Sequence, residues 1–221
     1  MNDLRKSRVA PPPSGLREAV IPVFTETRLT RGSFADVNWT RLHQVAYPNR
    51  FHSSLKSRLT PASGAYPCVY LAPSAETAVA EIWGDQMVLE KGRGEDVFAI
   101  PKKKADTHGF LVADSIPPVR LCDFTHGETL LSIGLDFGTL YSPDLAVTQQ
   151  WAEAVAAHDA CFDGIVYRSR HTGEECVVLW LRPGGRPLDR ELTFRAAGPF
   201  VDSDAAYKVA ESIGITLAFS V

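Results

Sequence analysis

Pro67-Cys68-Val69-Tyr70-Leu71-Ala72-Pro73-Ser74-Ala75-Glu76-Thr77-Ala78-Val79-Ala80-Glu81 is the stretch on which the fold turns. The run 67–72 is apolar, aromatic and short, and Pro73 cannot extend a sheet ladder, so it reads as a buried strand. Ser74 then offers a side-chain oxygen to cap a helix, and the small and apolar residues behind it predict one over about 75–83, with Gly84 as its stop. That helix carries one acid two turns past the cap, Glu81. A carboxylate among Ala78, Val79, Ala80, Ile82 and Trp83 either points off the exposed edge or is aimed into a pocket. Tyr70 alternates with Val69 and Leu71 and faces the other side of the strand, where packing is the ordinary role of a tyrosine.

Outward from this unit, Val37 to His43 predicts a strand, and a polar, proline-punctuated loop from Tyr47 to Tyr66 carries Arg50, Lys56 and Arg58. Loops of that length within a compact domain tend to be functional. Downstream, short strands are predicted at Asp96–Ile100 and Val119–Phe124. Thr125-His126-Gly127-Glu128 has the form of a capping box for a helix ending near Gly134. Ser142-Pro143 opens the longest helix, to about His158, with Pro143 at a tolerated first position. The runs Gly164–Arg168 and Cys176–Leu181 form a hairpin across Arg170-His171-Thr172-Gly173-Glu174. A helix over about Ser203–Ile213, with Gly214 behind it, precedes a last strand from Ile215 to Val221. Short strands and helices without strict βαβ alternation make this an α+β chain rather than a doubly wound one.

The 221 residues suffice for one core-bearing domain, and 45% apolar with 22% charged residues is ordinary for a globular protein. A net charge of -3 argues against a general nucleic-acid binder, although a local basic pocket remains compatible with it. No stretch approaches the ~18 apolar residues of a membrane span. Met1–Pro13 has positive charges with no apolar run behind them, which does not read as a secretory signal. Cys68, Cys122, Cys161 and Cys176 form no CxxC pair and the histidines no ligand spacing, so reduced thiols in a cytoplasmic protein without a metal are expected. Gly92-Arg93-Gly94 lacks the third glycine of a dinucleotide turn. Ser169 lacks the GxSxG elbow of a hydrolase nucleophile.

Arg41 and Arg58 have the planar fork that suits phosphate, though a single arginine is more often solvated or ion-paired at the surface. Together with Tyr70, Glu81 and Ser169 they look like parts of one site for an anionic substrate. The ordered set Trp39-Thr40-Arg41-Leu42-His43, Arg58, Cys68-Val69-Tyr70-Leu71-Ala72, Glu76 to Glu81, Val119 to Phe124, Thr148 to Ala154, Phe162-Asp163-Gly164-Ile165-Val166-Tyr167-Arg168-Ser169 and Val177 to Trp180 resembles the RES domain family, toxins of RES–Xre bacterial toxin–antitoxin pairs. The resemblance spans about residues 37–182. It leaves 1–36 as a partly disordered N-terminal extension and 183–221 as a C-terminal extension packed on the domain.

The resemblance implies a single domain with a small split mixed sheet, flanking helices and a NAD cleft like that of ADP-ribosyltransferases. In that cleft Arg41 and Arg58 would bind the diphosphate or adenylate end of NAD, Tyr70 would border the nicotinamide ribose, and Ser169 would complete the pocket. Glu81 would be the catalytic acid residue, with Arg41 and Tyr70 as its catalytic companions. Arg50 is an alternative to Arg58 as the second arginine. The acceptor of ADP-ribose would be water, phosphate or a host protein, and the ExE pair of some related transferases is absent, since Ile82-Trp83 follow Glu81. An Xre-like antitoxin would cover the site and bind the DNA of the operon. A catalytically silent binding module of the same fold is the alternative reading.

Overall fold

The computed structural model describes residues 23–24, 38–45, 51–142, 144–158 and 161–220. In chain order the elements are β1 (Val23–Phe24), β2 (Thr40–Gln44), β3 (Cys68–Leu71), α1 (Ala75–Gly92), β4 (Val97–Pro101), α2 (Lys102–Ala105), β5 (His108–Ser115) and β6 (Leu121–Asp123). There follow α3 (Gly127–Ser132), α4 (Phe137–Leu140), α5 (Leu145–Ala156), β7 (Gly164–Arg168), β8 (Glu175–Trp180), α6 (Leu188–Glu191), β9 (Thr193–Pro199), a 3-10 turn (Phe200–Asp202), α7 (Ala205–Ile213) and β10 (Thr216–Ser220). The fold is α+β, and its strands are divided among small sheets.

The main sheet has the order β1-β6-β7-β8-β3, with β6 and β7 parallel and the other neighbours antiparallel. Its central strands are buried on both faces, so alternate residues feed two cores. Cys68, Cys122, Ile165, Tyr167, Cys176, Val178 and Trp180 face one, which also takes α1 and α5. Val69, Leu71, Leu121, Val166, Val177 and Leu179 face the other. The period of two thus places Tyr70 and Tyr167 on one face, beneath α1. Gly164 is required in β7: a Cβ there would lie 2.0 Å from the carbonyl oxygen of Val178 on the paired strand.

A second sheet, β2-β5-β9, is antiparallel throughout, and β10 pairs with β4 in parallel to form a third. The chain after residue 182 therefore supplies β9, α7 and β10. Trp83 of α1 closes the seam between these layers, its ring centroid 4.6 Å from that of Phe200 and 5.3 Å from that of His108.

Several local expectations are corrected. Helix α1 does not stop at Gly84 but runs eighteen residues to Gly92. Gly84 lies mid-helix because the ring of His171 packs on it: a Cβ would meet that ring at 2.8 Å. The capping box at Thr125 does not form. Thr125 instead donates its backbone N–H and its hydroxyl to buried Asp123, at 2.7 and 2.6 Å, and the N-cap of α3 is His126, without a side-chain cap bond. Helix α5 begins at Leu145, with Asp144 accepting from the Ala146 N–H at 3.0 Å. The expected start at Pro143, together with Arg50 and residues 1–22, lies outside the described residues. Strands β5 and β9 were not expected. The hairpin β7–β8 and helix α7, closed by Gly214 at φ 74°, form where the sequence places them.

Candidate functional site

Glu81 is half-buried, with its carboxylate turned toward the end of β7. Oε1 accepts from the Ser169 hydroxyl at 2.7 Å and Oε2 accepts from the Tyr167 hydroxyl at 3.0 Å. Both donors are buried, Ser169 at 2% and Tyr167 at 7% exposure. Hydrogen bonds to an ionised group are the strong ones, and two buried hydroxyls fix the carboxylate's orientation. Helix α1 and strand β7 thus meet on these side chains.

Tyr70 enters from β3 on the same face of the sheet. Its hydroxyl lies 3.0 Å from Thr60 Oγ1. Burial pushes its phenol well above the ordinary range, and the nearby Cys68 and Glu81 act in the same direction. Tyr167 is raised too, again mainly by burial and then by the charge of Glu81. Both phenols stay protonated at neutral pH and can donate. The thiol of Cys176, opposite Tyr167 in the β7–β8 register, is likewise raised by burial and by Glu81.

The arginines divide. Arg58 is half-buried, and its Nη1 reaches the Leu140 carbonyl in a long 3.5 Å contact. Its charge acts on Tyr141, Arg170 and His171, as does that of Glu81, so Arg58 and Glu81 lie near the same side chains. Arg41 lies on β2, with Nη2 3.5 Å from His52 Nδ1 and its charge felt by His43 and His52. Burial lowers its guanidinium from 12.5 to about 10, which leaves it a cation at neutral pH. A desolvated cation gains most from an anion brought to it. The structure therefore gathers Glu81, Tyr70, Ser169 and Arg58, and holds Arg41 on β2 beside His43 and His52.

Sequence reasoning places none of Tyr167, Tyr141, Arg170 and His171 in the site for an anionic substrate, and reads His171 only as a weak hydrolase partner for Ser169. The period of two sets Tyr167 on one face with Ile165, but only the register of β7, β8 and β3 makes that the face Tyr70 occupies. The imidazole of His171 is held below its ordinary value, chiefly by burial, with the Glu81 charge opposing. A depression of about 320 Å3 lies over the three-stranded sheet among Thr40, Phe110, Val112 and Gly198; its lining includes none of the Glu81 group. Among the described residues no three His, Cys, Asp or Glu side chains are grouped to hold a metal ion, and no helix is long and apolar enough to cross a membrane.

An α+β domain with a carboxylate held by two buried hydroxyls beside arginine and tyrosine defines the class. The chain belongs to the RES domain family, which it matches over residues 25–199. No relative is found among curated proteins. Among solved structures it is similar to a chain in the crystal structure of the MbcT–MbcA toxin–antitoxin complex of M. tuberculosis. The TM-score is 0.52 at 15% identity, with 80% of this chain and 87% of that chain covered. At that identity the likeness establishes a shared fold.

Proposed function

We propose that this chain is the toxin of a bacterial toxin–antitoxin pair, acting in the cytoplasm by breaking the nicotinamide–ribose bond of NAD. The observation that carries this reading is the Glu81 carboxylate, held by Ser169 at 2.7 Å and Tyr167 at 3.0 Å. Membership of the RES domain family and the fold shared with a chain of a toxin–antitoxin complex support it.

In the reaction the C1′–N1 bond of NAD breaks and its electron pair passes to the pyridinium nitrogen. Neutral nicotinamide leaves, and positive charge develops on the ribose, as in glycoside cleavage. Glu81, placed at the ribose, stabilises that charge and holds a ribose hydroxyl. Ser169 and Tyr167 keep the carboxylate in place, so little reorganisation is needed as the charge appears. Tyr70, kept neutral by burial, borders the nicotinamide ribose and excludes water. Arg58 binds the diphosphate next to the reacting centre, and Arg41 takes an anionic group farther along the substrate. Fixing both ends confers the orientation that an isolated bond cleavage lacks.

ADP-ribose then passes to water, to phosphate or to a host protein. An antitoxin of Xre type covers the cleft, and an acidic segment on it would answer Arg58 and Arg41. The deciding experiment is nicotinamide release from NAD by purified protein freed of antitoxin, with mass spectrometry of a cell lysate alongside. Release far beyond stoichiometry without a labelled protein marks a glycohydrolase or phosphorylase. Slow release with an ADP-ribose mass on one protein marks a transferase. No release at all would sink the enzymatic reading and leave a binding module of the same fold.

A further inference from the structure

Helix α1 meets the turn between β7 and β8 along one edge. Thr77, Glu81 and Asp85 follow at spacings of four, with Gly84 between the last two, so the four line one edge of the helix. The reaction above uses only Glu81. Thr77 donates to the Glu174 carboxylate and lies 3.2 Å from the Thr172 hydroxyl. Gly84 sits under the imidazole of His171, with no room for a methyl group: a Cβ would come within 2.8 Å of the ring. Asp85 pairs with His171 Nε2 at 3.1 Å and with the guanidinium of Arg170. The His171 side chain is only 12% exposed.

What this edge holds is the turn that orients Ser169. The backbone N–H groups of His171 and Thr172 donate to Ser169 Oγ at 3.2 and 3.3 Å, and the Gly173 N–H donates to the Ser169 carbonyl at 2.9 Å. A hydroxyl has two lone pairs and one proton. The two amides occupy the lone-pair side of Ser169, and its proton is left for Glu81 Oε1 at 2.7 Å. The aim of that proton follows the position of the 171–172 amides, and that position follows the His171 ring.

We propose that Gly84, Asp85 and His171 form a clamp that positions the Ser169 hydroxyl and, through it, the Glu81 carboxylate. They are positioning residues, acting through Ser169. The kinetic half of the inference rests on the reading of Glu81 as the reacting carboxylate; the mechanical half stands on the turn alone.

The test is a double-mutant cycle of Gly84→Ala and His171→Ala, with two readouts on the full chain: amide hydrogen exchange at residues 172 and 173 by NMR, and kcat and KM for nicotinamide release. Alanine in a helix interior ordinarily strengthens the helix, so a Gly84→Ala effect unconnected with the clamp would slow exchange. The clamp predicts the reverse. Each single variant should speed exchange at Thr172 by ~10-fold and lower kcat by ~10-fold, with KM within ~2-fold, the pattern of an interaction made in the transition state. The double variant should be no worse than His171→Ala alone, because the ring that the new methyl strikes is gone. Additive losses, or a Gly84→Ala variant with unchanged exchange at Thr172, would overturn the clamp. If the unaltered protein releases no nicotinamide, the proposed reaction fails while the exchange measurements still decide the clamp.

Discussion

Glu81→Gln and Glu81→Ala separate the chemical role of this side chain from its structural one. The carboxylate accepts one hydroxyl at each oxygen, from Ser169 and Tyr167, and both donors are buried. Glutamine keeps the volume and both bonding positions. Its oxygen can face Ser169, whose lone pairs already receive two backbone amides, and its NH2 can face Tyr167, whose hydroxyl can turn to accept. The network is then satisfied, and the stability change should stay within about 1 kcal/mol. Alanine leaves two buried hydroxyls without an acceptor. Each unsatisfied group costs about 1–3 kcal/mol, so Glu81→Ala should destabilise by about 2–6 kcal/mol. The effect on turnover runs differently. Both variants lose the negative charge that faces the developing ribose cation, and loss of one preorganised electrostatic group lowers kcat by about 10²–10³-fold. Urea denaturation followed by tryptophan fluorescence gives the first quantity and nicotinamide release the second. A glutamine variant that turns over normally would refute the electrostatic role. One as unstable as the alanine variant would refute the account of the hydroxyl network.

Three further outcomes are expected. Burial raises the Cys68 thiol from 9.0 to about 12 and pushes Cys122, Cys176 and the phenols of Tyr70 and Tyr167 well above their ordinary values. Folded pKa values above the unfolded ones mean that the unfolded chain sheds these protons first, so stability is intact below pH 9 and falls above it. The three thiols alone give a slope of about 4 kcal/mol per pH unit, and circular dichroism should show unfolding by about pH 11; an intact fold at pH 12 would refute the buried ionisable core. Gly164→Ala forces a methyl onto the Val178 carbonyl and should lower Tm by roughly 10 °C or more, read by calorimetry, with an unchanged Tm counting against the register of β7 and β8. Arg58→Lys keeps the charge but loses the fork and should reduce kcat/KM by ~10-fold, whereas Arg41→Ala, proposed to hold an anionic group farther along the substrate, should raise KM with kcat nearly unchanged; equal kcat losses in both would place Arg41 at the reacting centre.

The parts of the fold legible in the sequence are those whose causes are local. Ser74 announces the start of α1 because a cap is a contact between residues three apart, and the side chain does accept from the Thr77 N–H. The hairpin β7–β8 and the end of α7 at Gly214 are legible for the same reason, each resting on turn chemistry within a few residues. Gly84 misled because two physical causes select glycine, a helix end and a close approach, and the second depends on His171, 87 positions later in the chain. The sheet β2-β5-β9 stayed hidden because β9 is exposed along most of its length and shows no apolar alternation.

The same division runs through the candidate site. Glu81 stood out because one acid in an apolar helix breaks the local pattern, and Ser169 was reached through the ordered family motif. Tyr167, which holds the other oxygen of Glu81, looked like one more aromatic in a buried strand, since β7 is buried on both faces and hydropathy there cannot mark which side matters. Its role follows only from the register that sets Tyr167 opposite Cys176, and Tyr70 opposite Val178, under the helix that carries Glu81. Register is a property of paired strands, and one strand read alone does not contain it. A carboxylate that receives its two hydroxyls from β7 and the turn just after it, 86 and 88 residues away, therefore depends for its geometry on residues such as Gly164 and Gly84, which carry no chemistry themselves. Substitutions at those glycines should reach the reaction through position alone, and they are the sites where stability and turnover should fall together.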